Sequence, residues 1–132
     1  MIVQSLDGNT SKLKLNYTTY NHHSQLHEQA AILIHKLYPY ISIAEEVPIE
    51  ITRSKTLYLD IFLAKLDTAI EIHGEQHFKF IQYFHTTKAN FYKQQRNDEL
   101  KKQWCELNNI RLIELLYDRS IDEWSSELRR IT

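Results

Sequence analysis

Apolar and polar positions recur with two different periods along this chain, and the changes of period mark its elements. From Leu26, apolar residues return at Ala30, Leu33, Ile34 and Leu37, a spacing that gathers them on one helical face. Ser24 precedes that face as an N-cap and Pro39 follows it as a stop. The period then falls to two. Val47, Ile49 and Ile51 alternate with Glu46, Pro48 and Glu50, which predicts a half-buried strand over 43–51. Pro48 has no N–H to give a neighbour, so this strand belongs at a sheet edge. After a turn at Arg53-Ser54-Lys55, the segment LYLDIFLA (57–64) reads as a strand apolar on both faces except at Asp60. A tight connection over 65–68 leads to AIEIH (69–73), a third strand whose polar residues are Glu71 and His73.

The chain is polar and aromatic from Gly74 to His85. A long helix is then predicted from about 88 to 107, with Phe91, Leu100, Trp104 and Leu107 on its buried side and a left-handed turn at Asn108-Asn109. RLIEL (111–115) gives a fourth strand. Ser120 with Glu123 forms a capping box for a last helix over 121–130. The polar first twenty residues read as a loosely ordered arm or a short hairpin, so 1–22 stands apart from the rest. The order is helix, three strands, helix, strand, helix. Strand four follows a helix and so adds parallel to strand three by a crossover, giving an α/β domain with a mixed four-stranded sheet flanked by helices.

Composition narrows the function. The 132 residues fit one domain able to bury a core without cross-links. The single cysteine, Cys105, excludes an internal disulfide and a multi-cysteine zinc site. Two glycines, Gly8 and Gly74, exclude a Gly-rich phosphate loop. No apolar run approaches the roughly 20 residues that cross a bilayer, and the first residues lack the basic head and apolar stretch of a signal peptide. The expectation is a soluble, cytoplasmic protein with no membrane partner. A formal charge of −1 gives no global attraction to nucleic acid, so any such binding rests on a local basic patch or a metal.

The chemistry lies in one acid in the middle of each of two apolar strands. A buried charge costs several kcal/mol unless it is paired or bound to a cation. The hairpin turn is centred near Lys65–Leu66, equidistant from Asp60 and Glu71, so the two face each other with Cβ atoms about 4.5–5.5 Å apart. Parity puts Leu57, Leu59, Ile61 and Leu63 on one face and Asp60 on the other; Glu71 and His73 share the face opposite Ile70 and Ile72. Carboxylates this close repel unless a proton or a cation sits between them, and Mg²⁺ or Mn²⁺ suits oxygen ligands. The alternative is a structural ion pair between each acid and a Lys or Arg. His73 is placed to orient or deprotonate a water, while Gln76 and His77 fall just past the strand end, where they can hold a water or a phosphate. A zinc site on His73 and His77 is the weaker reading, since it has only two nitrogen ligands. His22, His23, His27, His35 and His85 read as surface or core histidines. On the long helix, Lys93, Arg96 and Lys101 lie near one face and suggest phosphate contacts, though a solvated face is the plainer reading of the set as a whole. Glu28 sits off the apolar face of the first helix, within reach of a metal above the sheet or of water alone.

Three segments in order resemble a known family: Asp60 in LYLDIFLA, the run Glu71-x-His73-Gly74-x-Gln76-His77, and the helix Asp98-x-x-Lys101-x-x-Trp104-Cys105. Over 26–116 the chain resembles the PD-(D/E)xK nuclease superfamily, nearest its very-short-patch-repair and phage homing-endonuclease-like branch. The resemblance implies a restriction-endonuclease-like fold and a Mg²⁺-dependent endodeoxyribonuclease. It also implies metal binding by Asp60 and Glu71, with Glu28 matching a helical acid that many members carry. Where the superfamily pattern has lysine two residues after the glutamate, this chain has His73; His73, Gln76 or Lys101 takes the lysine's role, or the domain is weak or inactive. The expected partner is DNA. A homodimer would supply the two sites that a double-strand cut needs, and size and fold point by analogy to a phage or mobile-element source in a bacterial host. A non-catalytic module that binds nucleic acid or protein, and an RNA or structure-specific nuclease, are the competing readings.

Overall fold

Ser24 does cap the first helix: its hydroxyl accepts hydrogen bonds from the N–H groups of Leu26 and His27, and α1 runs Gln25–Leu37, ending before Pro39. The computed structural model describes residues 1–15, 17, 24–75, 78–81, 85 and 87–131. Within them β1 (Ile2–Gln4) and β2 (Thr10–Lys12) form a small hairpin, and β3 (Ala44–Thr52), β4 (Lys55–Leu63), β5 (Thr68–His73) and β6 (Arg111–Leu116) form the main sheet. The remaining helices are α2 (Lys88–Leu107) and α3 (Ile121–Arg129).

The sheet order is β3-β4-β5-β6, antiparallel at the first two junctions and parallel at the last. Pro48 lies on β3, at an edge. The tight connection between β4 and β5 is a single 3-10 turn over Ala64–Leu66, closed by Asp67 in the left-handed region at φ 46. Asn109, at φ 55, makes the left-handed exit from α2. Ser120 and Glu123 complete both halves of the capping box on α3.

Two apolar layers cover the sheet. On one side Trp104 and Cys105 of α2, with Val3 and Leu13 from the N-terminal hairpin, pack on Val47, Ile49, Ile51, Leu59, Phe62 and Ala69. On the other, Ala30, Ala31, Leu33 and Ile34 of α1 and Trp124 and Leu128 of α3 pack on Ile61, Leu63, Ile70, Ile72, Ile113 and Leu115. Each fully buried aliphatic or aromatic side chain contributes about 1.5–3 kcal/mol, which lets the sheet carry a few costly acids.

Of the two forms expected for the first residues, the structure has the short hairpin: β1 and β2 pair, and Val3 and Leu13 are buried. Two expectations are corrected. Leu107 is exposed: the last turn of α2 presents Trp104 and Cys105 to the core and leaves Leu107 at the surface. More consequentially, Leu57, Leu59, Ile61 and Leu63 do not share a face. Leu57 and Leu59 pack on the α2 side, Ile61 and Leu63 on the α1–α3 side, so β4 changes face at Asp60. The cause lies opposite, on β3, where Glu46 adopts φ 49. Pairing holds at Glu45 with Ile61 and at Val47 with Leu59, but Glu46 and Asp60 between them drop out of the ladder. A left-handed residue in one strand reverses the pleat without losing register.

Candidate active site

That reversal makes Asp60 the centre of a row of acids crossing the whole sheet. Glu46 of β3 is its neighbour on one side. Glu71 of β5 is its neighbour on the other, one step beyond the last ladder pair, Ile61 with Ile70. Glu71 is in turn register partner to Glu114 of β6. The expected opposition of Asp60 and Glu71 is therefore present. Their side chains lace the two strands together where the ladder stops: the Asp60 N–H donates to Glu71 Oε2 at 2.7 Å, and the Ile72 N–H donates to Asp60 Oδ2 at 2.9 Å.

Cations and histidines interleave with this row. Lys101 reaches down from α2 and donates to Glu71 Oε1 at 2.6 Å. Glu71 is only 3% exposed. Burial first, then the nearby charge of Asp60, push its carboxyl above the ordinary range, while Lys101 pulls it back. Burial lowers the Lys101 ammonium, but Glu71, Asp60 and Asp98 together outweigh that and hold it above its usual value. Both partners move upward, Glu71 chiefly through burial and then through Asp60, and Lys101 through its acid neighbours. Beside them Cys105 is buried, its thiol pushed up to about 12 by burial and then by Glu71, so it is no nucleophile.

His73, on the same face as Glu71, pairs with two other acids. Its Nε2 lies 3.2 Å from Glu114 Oε2 and its Nδ1 3.9 Å from Asp98 Oδ2. Burial pulls its pKa down, but the hydrogen bond to Glu114 and the charges of Asp98, Glu114 and Glu71 raise it above the usual histidine value overall. Glu114 is correspondingly lowered to about 2, first by His73 and with help from Lys102, whose Nζ is 3.3 Å away. His73 is thus held in an ion-pair network and is poorly placed to act as a base.

At the other end of the row, ligand atoms of His27, Glu46 and Asp60 lie within 4.8 Å of one another, the one group of three such residues among those described that could hold a metal ion. Burial, then Asp60, raise the Glu46 carboxyl, and His27 partly offsets them. Sequence reasoning missed both His27 and Glu46. His27 keeps helical spacing with the buried Ala30, Ala31 and Ile34, so it sits on the inward face of α1. The acidic doublet Glu45-Glu46 puts Glu45 in phase with Val47, Ile49 and Ile51, an acid on an apolar stripe of the kind that singled out Asp60.

The other sequence-derived positions divide. Glu28 is exposed in the first turn of α1, so the α1 residue that joins the acids is His27 and not Glu28. Lys93 and Arg96 are exposed on α2, whereas Lys101 leaves that stripe to reach Glu71; the three do not form one solvent-facing line. Gln76 and His77 lie outside the described residues, and the zinc reading that needs His77 lies there with them.

Fold and site together define an α/β domain whose mixed four-stranded sheet carries a row of acids, with His27 of α1 at one end and Lys101 of α2 at the other. Its sequence relatives are viral. The chain is 46% identical over 61 residues to "Uncharacterized protein 307L" of Invertebrate iridescent virus 6, which covers 46% of this chain and 31% of the relative. It is 38% identical over 61 residues to "Uncharacterized protein 033L" of Invertebrate iridescent virus 3, with the same coverage. It is 32% identical over 78 residues to "Uncharacterized protein 094L" of Frog virus 3, covering 58% of this chain and 49% of the relative. The matched stretches span about a third to a half of these relatives. No protein-family profile and no solved structure matches the chain. These relatives fit a viral origin. No helix among the described residues is long and apolar enough to cross a membrane.

Proposed function

We propose that this domain is a metal-dependent nuclease of restriction-endonuclease-like fold that hydrolyses phosphodiester bonds in DNA. The observation that carries the reading is the acid row: Glu46, Asp60 and Glu71 stand side by side on three strands, with His27 at one end and Lys101 at the other. One lysine and the hydrogen bonds from two backbone N–H groups do not balance three neighbouring acids, two of which are raised by burial and then by the third, Asp60. A divalent cation fits the donor set: one nitrogen and two carboxylates within 4.8 Å of one another, with Glu71 beyond. Mg²⁺ or Mn²⁺ bound there would acidify a water and offset charge on a phosphoryl oxygen.

The chain's own residues supply the rest. His27, Glu46 and Asp60 hold the cation, and the lacing hydrogen bonds from the Asp60 and Ile72 N–H groups fix the two central acids in place. Lys101, kept protonated by Glu71, presents positive charge where the superfamily's strand lysine would, and steadies the scissile phosphate. His73 braces the end of β5 against Glu114 and Asp98 instead of taking that lysine's place. Lys93 and Arg96 contact backbone phosphates away from the reacting atoms.

A second reading has one observation in its favour. Lys101 already neutralises Glu71 at 2.6 Å, as it would in a non-catalytic module that keeps the fold and binds nucleic acid or protein. The deciding experiment is purified protein with supercoiled plasmid and Mg²⁺ or Mn²⁺. Nicking or linearisation that disappears in Asp60→Ala and Glu71→Ala supports the nuclease. Cleavage that persists at the wild-type rate in both variants refutes the assignment, and no cleavage at all by a folded wild type that still retards DNA in a gel supports the module. Single-stranded DNA and RNA in parallel define the substrate, and sedimentation tests the dimer that a double-strand cut calls for.

A further inference from the structure

Glu45 precedes Glu46 on β3, and successive residues of a regular strand point to opposite faces. Here both approach the same imidazole. Glu45 Oε1 is 3.2 Å from His27 Nε2, and a Glu46 oxygen lies within 4.8 Å of a ring nitrogen of His27. The left-handed backbone of Glu46 is what allows it, since a reversal at φ 49 turns the second acid back toward α1. Glu45 is 9% exposed, so its carboxylate is held inside the fold against His27 and is not a solvated surface group.

We propose that Glu45 is a positioning residue that fixes His27 as a nitrogen ligand and thereby makes the centre selective for a borderline divalent ion, Mn²⁺, over Mg²⁺. The proposal rests on the reading of His27, Glu46 and Asp60 as cation ligands. A carboxylate that accepts from the ring Nε2–H sets the tautomer of the neutral imidazole, so that Nδ1 carries the electron pair. It also raises the basicity of that nitrogen and holds the ring plane. Mg²⁺ is hard and binds oxygen ligands and water in a tight octahedron, whereas imidazole nitrogen is better matched to transition ions. A site of oxygens alone would leave the two ions close in affinity; a pre-oriented nitrogen separates them.

The test is Mn²⁺ binding to the whole chain, followed by electron paramagnetic resonance, with Mg²⁺ as competitor. In the wild type, pulsed spectra are expected to show coupling of the manganese to one imidazole nitrogen, lost in His27→Gln. Glu45→Ala is expected to weaken Mn²⁺ by about 10–100-fold, the usual effect of removing such a supporting partner, while Mg²⁺ changes far less. Glu45→Gln, whose amide oxygen still accepts from Nε2–H, is expected to recover most of the loss. Absence of nitrogen coupling in the wild type overturns the proposal, and so does an equal loss of Mn²⁺ and Mg²⁺ in Glu45→Ala. If Glu45→Ala does not fold by thermal melting, the wild-type spectrum and the Glu45→Gln competition decide alone. Nitrogen-coupled manganese in a protein that cleaves no nucleic acid would sink the nuclease and leave this inference standing. Cleavage equally supported by both ions without nitrogen coupling would do the reverse.

Discussion

Replacing Lys101 with methionine removes the cation beside Glu71 and keeps most of the side-chain volume. Breaking a buried ion pair from one side costs about 3–5 kcal/mol when the abandoned charge has no escape. Glu71 has one, because it can take up a proton. Holding a carboxyl of ordinary value 4.5 in its neutral form at pH 7 costs about 3 kcal/mol, and at pH 5 less than about 1 kcal/mol. That cost is the ceiling on the damage. Most of it is already present in the wild type at pH 7, since burial and Asp60 raise Glu71 to about 7 even with Lys101 in place. Lys101→Met should therefore destabilise by under about 1 kcal/mol at pH 5 and at pH 7, and by roughly 1–3 kcal/mol at about pH 8–9, where the wild-type carboxyl ionises and the orphaned one does not.

The sign follows from the direction of the shift. Glu71 has a folded-state pKa above its unfolded value, so between the two the folded chain binds more protons, and stability falls as pH rises through that window. Removing Lys101 lifts the folded value further and extends the fall to higher pH. Urea unfolding at pH 5 and pH 9, in chelator, measures it. Equal destabilisation at both pH values would mean that lost packing, not an orphaned charge, is responsible, and the reasoning about the pair would be wrong. The double variant Lys101→Met with Glu71→Gln should return to within about 1 kcal/mol of wild type at both pH values.

Other consequences of the acid row can be checked as readily. Asp60→Asn keeps an acceptor for the Ile72 N–H but removes the charge that raises both Glu46 and Glu71, so urea unfolding should show a gain of about 1 kcal/mol while metal-dependent cleavage is lost. Glu46→Gly relieves a left-handed residue at φ 49 and should likewise stabilise by about 1 kcal/mol, with weaker Mn²⁺ binding by calorimetry. Glu114 is lowered to about 2, so its pairing contributes stability above its ordinary value of 4.5 that is lost as pH falls through about 2; Glu114→Gln should flatten the acid limb of stability against pH. Lys93→Ala with Arg96→Ala should reduce the slope of log affinity against log salt by about 2 and leave the rate of bound substrate unchanged.

What could be read from the sequence follows from how each feature is encoded. The facing of Asp60 and Glu71 was legible because a short turn fixes register by counting, and the Ile61–Ile70 pairing continues to them. The edge position of β3 was legible from one proline, and the parallel placement of β6 from the helix before it. The face of Leu57 and Leu59 was not, because alternation assumes an unbroken pleat, and the reversal at Glu46 and Asp60 depends on one left-handed glutamate whose type does not announce it. That same reversal hid His27 and Glu46, since Glu46 reads as an outward residue until the strand turns over. Lys101 was recognised as a cation, but its pairing with Glu71 needs the packing of α2 across the sheet, a contact between positions thirty residues apart.

The proposed divalent ion joins the acids of β3 and β4 to α1, and a crystal soaked in Mn²⁺ tests that most directly. The expected result is one strong anomalous peak in contact with His27, Glu46 and Asp60, with Lys101 still on Glu71 or displaced toward the solvent side. A fully substituted, well-ordered site with no peak there, or a peak bound elsewhere while these three side chains keep their present contacts, would contradict it.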